Sequence, residues 1–375
     1  MNRVRTRFKH SKMTNTTSTV TLQCGAAGSV IRPRPSLCLG LSSLVGTRTM
    51  PYDVRKLQQT GGKEGSSFLI ILPKEWILRH KLGKGDPVVV AEREDGCLII
   101  DPRFPRAGET KSTSIDIAQN LRWSITSTYL LGFDEIRVTS DKPITNAQRD
   151  DLRRVIKRFV GLEVTDEDDS QVVIQCLVDP FTLPVRKAMR RMNLVASRML
   201  SDALDAYFAG LRDLADDVVQ RDEEVDRLFF LIVRELRSAI QYPSMSEKMS
   251  IPPVEALDFR LAAQYIERIA DLAVDIASRA DESLDATLTE KIAPIASVVK
   301  EMLSTAVANL FRFDPDKVAW VIAAEAKLIT DTSSLRQDII GSRNKEPQTH
   351  LYVVDSLLRI GETAKDIADL ALPQG

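Results

Sequence analysis

The stretch YIERIADLAVDIA, residues 265–277, places Glu267, Asp271 and Asp275 four residues apart in a pattern that otherwise reads as helix. Side chains at i, i+4 and i+8 lie close together, and like charges at that spacing cost a helix roughly 0.2–0.5 kcal/mol per pair. A near-copy, LLRIGETAKDIAD at 357–369, carries Glu362 and Asp366 and repeats the Arg-Ile pair at a spacing of 91 residues. An unfavourable pattern that recurs at domain-sized spacing points to two copies of one unit. After Pro184, breaks at Gly210, at Tyr242-Pro243, near Ser283, at Asp314-Pro315 and at Gly341 leave six helical segments of roughly 25 residues each, long enough for bundles. Asp314 suits an N-cap, Pro315 the first helical position and Gly341 a C-terminal stop. The expectation is a helical domain over 181–375, built from three-helix repeats at 184–282 and 285–373.

Ile266, Ile269, Ala273 and Ile276 form one apolar stripe at 100° per residue, and the three carboxylates fall nearly opposite it. The preceding helix carries Asp222 and Asp226 at i and i+4, both flanking the stripe of Val218, Val225, Phe229 and Ile232. These acids can therefore lie where two helices meet. One reading is a solvated acidic face relieved by neighbours such as Arg268. The other is an oxygen-donor site for a hard or borderline cation such as Mg²⁺, Mn²⁺ or Fe. The histidines are His10, His80 and His350, and no Glu-x-x-His pair exists, which disfavours a redox di-iron bundle.

The segment ALDFRLAAQYIERIADLAVDIA resembles the PhoU family of phosphate-uptake regulators, tandem three-helix bundles with a signature like D-L-R followed by E-R-I-G-D-x-A-x-N-I-A. Asp258, Phe259, Arg260, Glu267, Arg268, Ile269, Asp271, Asp275, Ile276 and Ala277 occupy matching positions, with Ala270 where Gly is usual. Asp222 and Asp226 match the acidic pair of the family's preceding helix. In the second repeat Arg359, Ile360, Gly361, Glu362, Asp366, Ile367 and Ala368 fit, but Leu358 replaces the first Glu. In its middle helix Glu325 can stand for the first acid, whereas Ile329 occupies the place of the second. The resemblance covers about residues 185 to 372. It implies metal ions (Fe, Mn, Ni, Zn or Mg) on Asp222, Asp226, Glu267, Asp271 and Asp275, and on Glu362 and Asp366 if the second repeat also binds.

The rest of the chain differs in texture. Residues 1–49 hold eight Lys or Arg and no Asp or Glu, so the net charge of -1 hides a body with 43 basic and 52 acidic residues. That stretch reads as a transit peptide or, preferably, as a translated region upstream of Met50; either way a disordered basic extension is expected. From Pro51, VRKLQQ and SSFLIILP read as strands about the loop GGKEG. KEWILRHKL reads as a short helix, GKGD as a turn, and PVVVAERE with CLIIDP as a hairpin about Asp95-Gly96. Over about residues 53 to 102 this resembles the SpoVT/AbrB (MazE-like) swapped-hairpin family, through Arg55-Lys56, Leu72-Pro73-Lys74-Glu75, Leu82, Gly85-Asp86 and Gly96. The resemblance implies an interleaved homodimer over 50–105 that contacts DNA through Arg55 and Lys56, with Lys63 a further candidate. Some fifty residues of short strands bury little surface alone, which also favours pairing.

Residues 110–180 read as a small α/β domain with a spacing or sensing role. Its helices are expected at IAQNLRWSITSTYLLG and from the N-cap Thr145 to Phe159. Its strands are expected at EIRVTS, LEVTDE and QVVIQCLV, the last two about the turn Glu167–Ser170. Arg186, Lys187, Arg190 and Arg191 read as a bundle rim. Cys24, Cys38, Cys97 and Cys176 form no Cys-x-x-Cys pair, in keeping with a reducing cytoplasm. Gly61-Gly62-Lys63 lacks P-loop spacing, and no Ser-His-Asp or Cys-His constellation appears, so a non-enzyme is expected.

The whole reads as a multidomain, mainly α protein: a swapped-hairpin β domain, a small α/β domain, then tandem three-helix bundles. The resemblances imply a dimeric, DNA-binding, metal-binding regulator of phosphate uptake. The alternative is an adaptor acting on phosphate transporter components or signalling proteins, with the β domain used only for dimerisation.

Overall fold

The computed structural model describes residues 54–60, 67–92, 96–102, 110–178, 183–280, 286–341 and 347–373. The expected extension at 1–49, Lys63, Asp95 of the hairpin turn and the break near Ser283 lie outside the described residues. The chain divides into two compact units, Met1–Pro73 and Lys74–Gly375.

In the first unit, β1 (Gln58–Thr60) pairs antiparallel with β2 (Ser67–Leu69), from Gln58 opposite Leu69 to Thr60 opposite Ser67. The first strand is shorter than VRKLQQ suggests, and Arg55 and Lys56 precede it. Continued in that register, the ladder would bring Val54 opposite Pro73, which has no N–H to donate. Val54, Leu57, Phe68, Leu69, Ile70 and Ile71 are all exposed. A run of consecutive exposed apolar residues leaves both faces of the strand without cover.

The second unit opens with α1 (Lys74–Arg79) and a turn in which Gly83 N donates to Asp86 Oδ2 at 2.7 Å, with Gly85 at φ 94°. The antiparallel pair β3 (Val89–Glu92) and β4 (Leu98–Asp101) follows. The α/β domain comes next, in the order β5 (Ser112–Asp116), α2 (Leu121–Leu130), β6 (Glu135–Thr139), α3 (Asn146–Ile156), β7 (Leu162–Glu167) and β8 (Gln171–Cys176). Its sheet order is β5-β6-β8-β7; β5 and β6 are parallel and the other neighbours antiparallel.

Two local signals set the helix starts. Thr145 and Gln148 form a capping box on α3, and Asn120 Oδ1 accepts from Trp123 N at 3.1 Å on α2. The helix expected from Ile117 therefore begins four residues later, at Leu121, because Asn120 caps it. Strand β5 was not expected: Ser-Thr-Ser offers no apolar alternation to betray it. Ile125, Tyr129, Leu152, Ile156 and Phe159 pack against Ile136, Val138, Val172 and Ile174 to form the domain's own core.

The remainder is helical: α4 (Val185–Ala209), α5 (Arg212–Gln241), α6 (Pro243–Met249), α7 (Pro253–Ala277), α8 (Ala286–Phe311), α9 (Pro315–Gly341) and α10 (Pro347–Asp369). Gly210, at φ 66°, ends α4 in the left-handed conformation that glycine adopts without strain. Asp314 caps α9, accepting from Asp316 N at 3.1 Å. The break at Tyr242-Pro243 contains a short helix that the sequence reading missed, α6, closed by Ser250 at φ 52°. Helices α4, α5 and α7 form one bundle and α8, α9 and α10 another. They share one apolar core, through α7 against α10 and α4 against α8. Within that core Tyr207 of α4 and His350 of α10 share a hydrogen bond of 2.5 Å.

Helix α5 also carries the α/β domain. The buried Arg234 donates from Nη1 to Tyr129 O at 2.7 Å and Phe133 O at 3.0 Å, and from Nη2 to Asp134 Oδ1 at 3.2 Å. Phe159 and Phe230 meet in a tilted contact with ring centroids 5.0 Å apart. Next to Arg234, Glu235 is 2 % exposed, and neither carboxyl oxygen has a hydrogen-bond partner among the described residues. Burial pushes its pKa from 4.5 up to about 8, although Arg234 works in the opposite direction. The folded state thus holds this proton more tightly than the unfolded chain, and stability falls as pH rises from about 4.5 through about 8. Glu235→Gln should match wild type in denaturant melts at pH 4 and exceed it by about 2–4 kcal/mol at pH 9. Equal stabilities at pH 9 would show that the carboxylate is solvated.

Candidate functional site

The expected carboxylates lie on α5 and α7, which pack side by side. Asp222 and Asp226 sit on the half-buried flank of α5, below the core residues Val218, Val225 and Phe229. On α7, Glu267 is half-buried while Asp271 and Asp275 are exposed. Opposition to the apolar stripe thus did not keep Glu267 in solvent. Helix α5 covers that flank, a packing that the stripe on α7 alone does not reveal.

The fields of these groups overlap. Desolvation first, and then Asp271, Asp226 and Asp222, together lift Glu267 to about 7 against the hydrogen bond from Gln264. Asp222 rises to about 6, first by desolvation and then by Asp226, Asp271 and Glu223. Asp271 is also raised, by desolvation and then by Asp226 and Asp275, against Arg268. Asp222, Asp226, Glu267 and Asp271 therefore form one electrostatic group. Among the described residues, however, no three His, Cys, Asp or Glu side chains are placed to hold one metal ion between them. Both observations hold together, because Coulombic coupling reaches further than the roughly 2.0–2.6 Å of an oxygen–metal bond.

Side chains of the protein already engage part of the group. Arg158 Nη2, just beyond α3, donates to Asp226 Oδ2 at 3.0 Å. Gln264 Nε2 donates to Glu267 Oε2 at 2.7 Å, and Arg260, over the Phe229 ring, donates to Gln264 Oε1 at 3.4 Å. Asp275 pairs loosely with Arg279 at 3.9 Å. The spacing or sensing role expected of the α/β domain gives no part to Arg158, since only tertiary packing brings that residue to α5. Gln264 was legible in principle, being three residues before Glu267 on the same helix face.

The second repeat places a cation among its own acids. Lys365 Nζ lies 2.5 Å from Asp369 and 3.9 Å from Asp366. Its pKa is raised by Asp369, Asp366 and Glu325. At the 91-residue spacing Lys365 corresponds to Val274, so the first repeat has no such cation. Glu362 is exposed. The basic start of α4 is engaged within the helical domain, with Arg186 on Glu255 and Arg191 on Glu224 in its own bundle and Arg190 over the Phe311 ring of α8. Lys56 is exposed ahead of β1, and Arg55 is exposed beside it.

Residues 189–280, from α4 through α7, match the PhoU domain family model. The chain is also similar to a crystal structure of PhoU from Pseudomonas aeruginosa, at 19% identity over 50% of this chain and 93% of that one, with a TM-score of 0.39. No curated protein matches the chain. Among the described residues, no helix is long and apolar enough to cross a membrane.

If the four carboxylates repel one another, removing one charge relieves the rest. In chelator-treated protein Glu267→Gln should raise the melting temperature, by an amount equivalent to about 0.5–1 kcal/mol. With millimolar Mn²⁺ the order should invert, because wild type gains from binding the ion and the variant loses a donor. A variant that is less stable with and without Mn²⁺ would mean that Glu267 acts through Gln264 alone.

Proposed function

We propose that this chain is a regulator of cellular phosphate homeostasis, not an enzyme, and that its acidic α5–α7 face attracts a divalent or trivalent cation. The PhoU domain match over residues 189–280 carries this reading. The matched segment contains Asp222, Asp226, Glu267, Asp271 and Asp275. The cation part rests on the chemistry of the donors: Asp222 and Glu267 are raised by desolvation and then by their acidic neighbours, and only Asp226 has a direct ion pair, with Arg158, among the described residues. A bound ion would draw Asp222, Glu267 and Asp271 together and supply a compensating charge. Fe, Mn, Ni, Zn and Mg all suit carboxylate oxygens to differing degrees.

Uptake of labelled phosphate by cells lacking the gene tests the regulator. Uptake should stop responding to external phosphate, recover with the wild-type gene, and stay unresponsive with the variant Asp222→Asn, Glu267→Gln, Asp271→Asn. Normal responsiveness in the deleted strain removes the phosphate reading. A triple variant that complements fully removes the cation from it.

The finer reading is a cytoplasmic dimer that acts on transcription through the first unit, with Arg55, Lys56 and Lys63 facing DNA. It is supported by the exposed apolar run Phe68–Ile71, which needs a second surface to cover it. Phe68→Asp with Ile70→Asp should shift sedimentation from dimer to monomer. On DNA from phosphate-transport promoters, binding should weaken with salt at a log-log slope of about -0.9 per phosphate neutralised. Arg55→Ala with Lys56→Ala should flatten that slope. Should wild type show no salt-dependent binding, the adaptor on a phosphate transporter becomes the preferred reading.

A further inference from the structure

A cleft of about 490 Å³ opens in the α/β domain between the start of α2 and the outer face of α3. Three guanidinium groups line it, Arg122 from α2, Arg154 from α3 and Arg158 just beyond α3, against one carboxylate, Asp151. Ile117 and Leu121 give it an apolar part. We propose that this cleft binds a small oxyanion, the phosphate group of a phosphorylated metabolite or free inorganic phosphate.

The charges are not all committed elsewhere. Arg122 is exposed and makes no ion pair among the described residues. Arg154 pairs with Asp151 one helical turn away, where both are well exposed. Exposed pairs of this kind contribute little and exchange readily for a better acceptor. The guanidinium fork suits tetrahedral oxyanions, which accept two parallel hydrogen bonds from it. The volume exceeds that of phosphate alone and lies in the range of sites for small organic ligands. The apolar part then has a use if the ligand carries a ring.

Arg158 gives the cleft its consequence. It lines the cleft and also holds Asp226 of α5 at 3.0 Å. An oxyanion that engages Arg158 competes with Asp226 for the same donors. Occupancy of the α/β domain is thereby linked to the charge on the acidic face of the helical domain. The proposal stands on the cleft and on Arg158, and needs neither a cation on that face nor a role in phosphate uptake.

The test is isothermal titration calorimetry on the full chain, at fixed ionic strength in chloride, with inorganic phosphate and AMP as probes. At least one should bind. Phosphate binding as tightly as AMP identifies the free anion, and tighter binding of AMP identifies an ester. Arg122→Ala, at an exposed position that packing does not need, should weaken the binding by about tenfold or more. Asp226→Asn frees Arg158 and should tighten it, by more than Glu223→Gln, which removes a nearby charge that does not touch Arg158. No heat from either probe up to about 10 mM, a range beyond useful affinity, overturns the site. So does binding that Arg122→Ala leaves intact. Equal effects of Asp226→Asn and Glu223→Gln overturn the link through Arg158.

Discussion

Helix α5 has to bury two sides of itself. One side, with Val225, Ile232 and Leu236, enters the shared core of the bundles, and another, with Phe230 and Arg234, receives the α/β domain. A helix enclosed this far cannot turn every charged residue outward, so some must be satisfied in place. Arg234 is satisfied by the carbonyls of Tyr129, in the last turn of α2, and Phe133, just beyond it, where the helix dipole favours a cation. That choice sets where the α/β domain sits, and with it where Arg158 meets Asp226. Glu235, one residue on, has no such partner among the described residues and makes the same region sensitive to pH.

The same enclosure explains why the two repeats differ. In each, the last long helix carries acids in a pattern that costs an isolated helix free energy. In the second repeat Lys365 sits among Asp366, Asp369 and Glu325 and offsets part of their charge. In the first, Val274 stands at the corresponding position and the carboxylates of α5 add to those of α7. Half-burial then amplifies the imbalance, because water screens it less. Two copies of one helical plan therefore offer different chemistry: one sets a lysine among its acids, the other a valine.

Sequence periodicity made much of this legible. The recurring Arg-Ile and carboxylate pattern, with Gly210, Pro243 and Asp314-Pro315 as punctuation, marked the long helices because caps and breakers act within a turn of where they stand. Thr145 and the β7–β8 turn were readable for the same local reason, Asp168 accepting from Ser170 N at 2.7 Å and Gln171 N at 2.8 Å. Strand β5 and helix α6 escaped, since neither Ser-Thr-Ser nor a seven-residue helix carries a periodic apolar signal.

The sequence by itself determined which residues are acidic, that they recur, and that they share a face of each helix, because those properties follow from a fixed 3.6-residue period. Only the tertiary structure decided which of them feel one another. Asp226 went to Arg158, 68 residues away in the chain, and Glu267 came under the cover of α5. Electrostatic fate depends on distance and on exclusion of water, and both are set by how helices and domains pack. No spacing within a single helix contains that information.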